Sequence, residues 1–378
     1  MKIAAVRLTE VVVPAKPDSV NSPETDHALH QLAYNGARGF SVQFDAMPKV
    51  IIEVITDDGL IGLGESYRGL PLASLEPIAR RLIGLDPLAL NLQELPLPEG
   101  RLYDGFECAL VDLVGKRLGV PAHVLLGGRY RDEVTCGHWT GHRTVADAAR
   151  KAAEGRARGF SCIKFKCDLD DPVAEWCAAI RDACGPAMKV ILDPNRRWGT
   201  VANTLERARD LAAIGNVLCL EDPIPRWDFD GYRLLRMKQP IPVCMHVSLP
   251  YLEMGQMPTD VVQAIRGGAV DMFNLNGGMF AVKRLADTAR LADIPMWHGS
   301  EIDLGILEAS YVHACAAIGN ATLPHDIFGR LVREHDLLVE PLVFAENRVR
   351  VPTGPGLGVE LDRDALARYT STRQEIAA

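Results

Sequence analysis

The stretch "FSCIKFKCDLD", residues 160–170, decides how the whole chain is read. Successive side chains of a strand alternate, so Cys162, Lys164 and Lys166 point one way and Ile163 and Phe165 the other. On a solvated face two lysines are ordinary. Inside a barrel they are costly and need a reason. The next two apolar runs supply one: "LDPN" (192–195) ends its run in Asp193, and "LEDP" (220–223) ends the following run in Glu221. Acids closing the two neighbouring strands favour the interior reading.

From about residue 134 onward, short apolar runs alternate regularly with amphipathic helical stretches. The runs are 134–138, 161–166, 189–193, 217–221, 241–246, 270–276, 294–298 and 321–326. Segments such as "VADAARKAAEGRARG" and "ANTLERARDLAAIG" separate them. Eight strand–helix alternations predict a modified (β/α)8, TIM-like barrel. Residues 1–66 have β character, with Asp57-Asp58-Gly59 as the turn between two strands. The extended start, interrupted by Arg7 and Glu10, reads as a strand and not as a signal peptide. Residues 72–128 read as helices, and the tail returns to strand and turn character. The expected organisation is an α+β N-terminal domain (1–128), the barrel (129–335) and a C-terminal segment (336–378) that rejoins the N-terminal domain. The long polar loop over 15–46 carries Lys16, His27, His30 and Arg38, but also Asp18, Glu24, Asp26 and Asp45.

Composition excludes several functions. The chain has 378 residues and a net charge of −8, which argues against a nucleic-acid partner, since phosphate recognition needs a basic face. No apolar run reaches membrane-spanning length. Nine cysteines, an odd number with no CxxC pair, predict reduced thiols and a cytoplasmic location.

Polar residues recur at the C-terminal ends of the barrel runs, where barrel enzymes carry their chemistry. Asp193 is followed by Asn195; Glu221, His246, Asn276 and His298 end later runs. Two residues earlier on the same face stand Cys162, Ile191, Cys219 and Cys244, suited to a packed layer beneath a site. Two acids and two lysines in one layer cannot sit dry and uncompensated. A divalent cation between Asp193 and Glu221 offsets their charge, holds a substrate carboxylate and stabilises a developing enediolate. Lysines beside such an ion favour the neutral amine, so one of them can take a proton near neutral pH.

These residues resemble the enolase superfamily in its mandelate racemase and muconate lactonizing branches. The resemblance rests on "VIIEVITDDGLIGLGES" (50–66), "IKFK" (163–166), "LDPN", "LEDP", "GGMFAVKRLADTA" (277–289) and "PTGPGLGVELD" (352–362). It implies the capped barrel, a small-molecule carboxylate substrate, a homo-oligomer and a divalent metal, Mg2+ or alternatively Mn2+. It implies removal of the proton α to the carboxylate, with Lys166 as base and Lys164 as its tuning neighbour, and Asp193 and Glu221 as metal ligands.

Four positions depart from the common pattern. The fifth strand ends in His246, which either takes the third ligand place or only hydrogen-bonds; an imidazole suits Mn, Fe or Zn better than Mg. Asn276 stands where the branches place lysine or aspartate; it cannot act as a base, and either orients His298, binds substrate or packs a loop. His298 resembles the racemase-branch histidine without its aspartate, a weaker base and a general acid. Asp326 in "LPHDIFG" stands where glutamate is usual and is positioned to bind substrate. Glu301 and Asp303 either enter the site or begin a helix. Arg196 and Arg197 are substrate contacts or loop charges.

Lysine on one side and histidine on the other point to dehydration of a hydroxy acid or sugar acid, with Lys164, Lys166 and His298 catalytic and Asn195, Asn276 and Asp326 binding substrate. Racemisation, epimerisation or cycloisomerisation is the alternative. A non-catalytic barrel is a different class, but drift has no reason to spare four buried charges. A zinc hydrolase needs a histidine-rich first strand, and "VTCGHWTG" offers only His138.

Overall fold

A computed structural model describes residues 1–25 and 48–377, together with the backbone of 33–34 and 37–38. Of the early loop, Asp26, His27, His30, the Arg38 side chain and Asp45 lie outside the described residues.

Seven parallel strands form one curled sheet in sequential order: His138–Thr140, Cys162–Lys166, Lys189–Asp193, Val217–Glu221, Val243–Ser248, Met272–Asn276 and Met296–His298. They are called here the first to seventh barrel strands. Each is followed by a helix on the outside, from Val145–Ala157 after the first to Gly305–Ala316 after the seventh. Their outward residues, such as Phe165, Leu220 and Leu275, are fully buried against those helices. Helix starts carry the expected caps: Thr144 and Thr200 each accept a main-chain N–H three residues on.

Segment 320–326 closes the ring without becoming a regular strand. Met296 bridges Ala321, and His325 bridges Cys136. The His325 N–H donates to Thr135 O at 2.8 Å, and the Asp326 N–H donates to His298 O at 2.9 Å. The first strand also differs from expectation. Glu133–Thr135 joins a small antiparallel sheet with Phe344–Ala345 and Arg348–Arg350, and the barrel begins at His138.

The second layer is a four-stranded antiparallel sheet in the order Thr370–Ala377, Ile3–Val11, Lys49–Thr56, Ile61–Glu65. The C-terminal strand pairs with the N-terminal one from Ala5↔Ala377 to Val11↔Thr370, so the tail completes the capping sheet. Helix Asp104–Leu118 lies across strand Ile61–Glu65. Gly62 and Gly64 make that approach possible, because a Cβ at either would collide with the helix backbone. Helix Gly305–Ala316 is buried along its whole length. Buried Lys49 and Glu65 of the capping sheet pair with each other, and Lys49 Nζ lies 2.7 Å from Asp303 Oδ1 in the loop after the seventh strand. Glu65 also accepts the Leu304 and Leu307 N–H groups, which caps that helix from the neighbouring layer.

All nine cysteines are free and buried. Among the described residues no helix is long and apolar enough to cross a membrane.

Candidate active site

The second barrel strand is buried throughout. Its inward residues continue the alternation above a layer of Cys162, Ile191, Cys219, Cys244, Met272 and Trp297. Parallel register sets Lys166 beside Asp193 and His246 beside Asn274. Lys166 pairs with Asp193. Lys164 Nζ lies 2.6 Å from Glu221 Oε2, 2.9 Å from Asp326 Oδ2 and 3.2 Å from Asp193 Oδ2. Three acids thus face two lysine amines at the C-terminal ends of the strands.

The two lysines are electrostatically unlike. Burial opposes charge on Lys164, but Asp326, Glu221 and Asp193 outweigh it and hold its pKa well above the ordinary amine value. Burial lowers Lys166; the pull of Asp193 does not offset it, and the positive charge of Lys164 adds to the lowering. Burial also acts against the Asp193 carboxylate, but Lys166 and Lys164 hold it below the usual range. Glu221 is pushed up to about 8 by burial and by the charge of Asp193. His246 is kept neutral by burial and by Arg226.

Above these groups opens a cleft of about 900 Å³, mouth included. One wall is apolar: Trp139 stacks on Phe328 at 5.2 Å, with Ile302 alongside. The other is polar. Arg101 makes a two-pronged bond to Glu301, 3.0 Å on each arm, and donates to Arg68 O at 2.9 Å. Its guanidinium lies 5.1 Å from the Tyr251 ring centre. The strand-end turns are conformationally strained: Asn195, Arg196, Asp222 and Ile302 have positive φ of 46°, 72°, 47° and 61°.

Eight of the nine residues given catalytic, binding or metal roles from sequence gather here. Lys164, Lys166, Asn195, His246, Asn276 and Asp326 line the cleft. Asp193 and Glu221 lie fully buried beneath, with Asn195 donating to Asp193 Oδ1 through its main-chain N–H and its side chain at 3.1 and 2.8 Å. His298 is the correction. On its three-residue strand Trp297 points inward and His298 outward, paired in register with Leu275. It stacks on Tyr311 of helix Gly305–Ala316 at 4.0 Å and donates from Nδ1 to Gly299 O at 2.6 Å. The cleft lining does not include it, and Gly299 takes the inward position at that strand end. Sequence reasoning missed Asn274, whose place on the inward face followed from the alternation with Asn276. It also missed Arg68, Arg101 and Tyr251, for which no local pattern pointed to the cleft.

The donor set suits a divalent cation. One positive centre, the Lys164 ammonium, already lies within 3.2 Å of both Asp193 and Glu221, so the two carboxylates converge enough to share an ion. A further donor is His246, whose Nδ1 is 3.6 Å from Glu221 Oε1. Among the described residues no three His, Cys, Asp or Glu side chains are drawn together as a ready-made cluster. The lysines stand between the acids in this arrangement.

A family model described as enolase C-terminal domain-like matches residues 146–365. Muconate cycloisomerase 1 of Pseudomonas putida is 30% identical over 348 residues, which cover 85% of this chain and 90% of that protein. D-xylonate dehydratase of Haloferax volcanii is 28% identical over 357 residues, 85% of each chain. The crystal structure of muconate lactonizing enzyme from Pseudomonas fluorescens, complexed with muconolactone, superposes with a TM-score of 0.81 at 28% identity, covering 98% of this chain and 99% of that one.

Proposed function

This chain belongs to the enolase superfamily, in its muconate lactonizing and mandelate racemase-like part, and from that premise we propose that it dehydrates a hydroxy acid or sugar acid by removing the proton α to its carboxylate. The observation that carries the reading is the asymmetry of the cleft. Lys166 is a buried amine on the second strand whose pKa burial holds below the ordinary value, unlike its neighbour Lys164. Across the barrel the sixth strand presents Asn276, whose amide cannot act as a general base or acid, and Gly299 follows the seventh strand.

In the proposed mechanism Asp193, Glu221 and His246 hold the divalent metal that the superfamily resemblance implies. When bound, the metal supplies Lewis acidity toward the substrate carboxylate. Lys164 stays charged and pairs with that carboxylate, and Asn195, Asn276 and Asp326 contact the rest of the substrate. Lys166 Nζ takes the α-proton and becomes an ammonium; the electron pair of the C–H bond passes to the carboxylate as an enediolate. Its collapse breaks the β C–O bond, and the departing hydroxide takes a proton from the Lys166 ammonium and leaves as water. The enol product tautomerises to a 2-keto acid. Racemisation needs proton transfer on opposite faces, and among the described residues the other lining acids are engaged: Glu301 with Arg101 and Asp326 with Lys164. Cycloisomerisation, the second reading, also needs only one such group and accords with the 30% identity to a muconate cycloisomerase. The organisation that goes with this reading is a cap of 1–128 and 336–378 over a barrel of 129–335, assembled as a homo-oligomer.

A panel of aldonic acids, aldaric acids and muconate-like dienoates, with product identification by NMR, tests it. A 2-keto acid formed with loss of water is expected. Inversion at the α-carbon with no loss of water contradicts the reading.

A further inference from the structure

His246 and Asn274 depart together from an all-oxygen metal site, and their geometry is specific. They are register partners on adjacent strands, both facing inward. Asn274 donates from Nδ2 to Glu221 Oε1 at 2.7 Å, which turns its Oδ1 away from the acid. That oxygen is buried without a hydrogen-bond partner, and so is His246 Nε2. Both atoms border the same small space over Gly299: a Cβ there would lie 2.5 Å from Asn274 Oδ1 and 3.0 Å from His246 Nε2. The other ring nitrogen, Nδ1, is the one turned toward Glu221. The His246 main chain is fixed as well, its N–H donating to Asp222 Oδ1 at 2.9 Å.

A neutral imidazole carries one N–H and one lone pair. The two unpartnered atoms are complementary if the N–H is on Nε2, and that tautomer leaves the lone pair on Nδ1 facing the acids. Ligating histidines generally have their second nitrogen held by an acceptor, and Asn274 Oδ1 is the unpartnered acceptor bordering the same space. An imidazole beside two carboxylates suits a first-row transition ion, whereas Mg2+ prefers oxygen donors.

We propose that Asn274 is a positioning residue that presents His246 as a nitrogen donor, and that the site therefore takes a transition-metal ion, probed here as Mn2+, in preference to Mg2+. This rests on the reading of Asp193 and Glu221 as the acids that hold the cation.

Electron spin echo envelope modulation of the Mn2+-loaded wild-type protein tests it without reference to turnover. Modulation from a directly bound 14N is expected, and its absence with Mn2+ bound overturns the proposal. Calorimetric titration gives the second readout. Wild type is expected to bind Mn2+ more tightly than Mg2+, His246→Asp to narrow that ratio, and Asn274→Ala to weaken Mn2+ binding about 10–100-fold. Wild-type affinity in Asn274→Ala overturns the positioning role. Mn2+ bound through oxygen alone, with α-proton exchange intact, sinks this inference and leaves the proposed function standing; failure of any divalent ion to bind sinks both.

Discussion

At single residues, the inner face of the barrel follows from alternation alone. Lys164, Asp193, Glu221 and His246 each stand two places beyond a small or apolar residue on the same strand, and Lys166 stands two places beyond Lys164 on the same inward face. His298 breaks that reading because its strand is only three residues long, and the polar residue at its end falls one step out of phase with the interior. Its burial holds it neutral, with a pKa of about 4 against an ordinary 6.5. The unfolded chain takes up the proton near 6.5 and the folded chain only near 4, so the stability this group contributes is complete above 6.5 and is lost as pH falls toward 4. His298→Gln is expected to flatten the dependence of unfolding free energy on pH between 6.5 and 4, by up to about 1.4 kcal/mol per pH unit. Urea unfolding at stepped pH measures it, and α-proton exchange in the same variant is expected to persist. Loss of exchange with an unchanged pH slope contradicts the outward placement.

Among the secondary elements, the helix–strand alternation was legible wherever local periodicity sufficed. The two ends of the barrel were not. Closure joins residues 135–137 to 325, a pairing nearly 200 positions apart that no local window contains, and Pro324 has no N–H to give a regular ladder. Distance in sequence also hid the tie of Lys49 and Glu65 to Asp303, in which all three charges are buried. Close approach in the cap is set by glycine. A Cβ on Gly64 would run into the Gly105 carbonyl, so helix Asp104–Leu118 would have to shift away from its strand. Gly64→Ala is expected to cost about 1–3 kcal/mol of stability by overpacking, read from the midpoint of denaturant unfolding. A midpoint equal to wild type contradicts the packing described.

Across the whole chain, cap and barrel meet over the cleft through Arg101 and Glu301, some 200 residues apart. The capped barrel itself was readable from the order of elements, because each step of that order is local. The distal wall of the cleft was not, because it is assembled from side chains of both layers. Arg101→Lys removes the two-pronged geometry while keeping the charge. We expect KM for the acid substrate to rise about tenfold, equivalent to one charge-assisted hydrogen bond, with kcat little changed; steady-state kinetics decide it. The most direct test of the chemistry is deuterium incorporation at the α-carbon of the substrate in D2O, followed by NMR in the wild type and in Lys166→Ala. Wild type should exchange the α-proton, and Lys166→Ala should lose that exchange about 10²–10⁴-fold while still binding the divalent ion. Undiminished exchange in Lys166→Ala would contradict the assignment of Lys166 as the base.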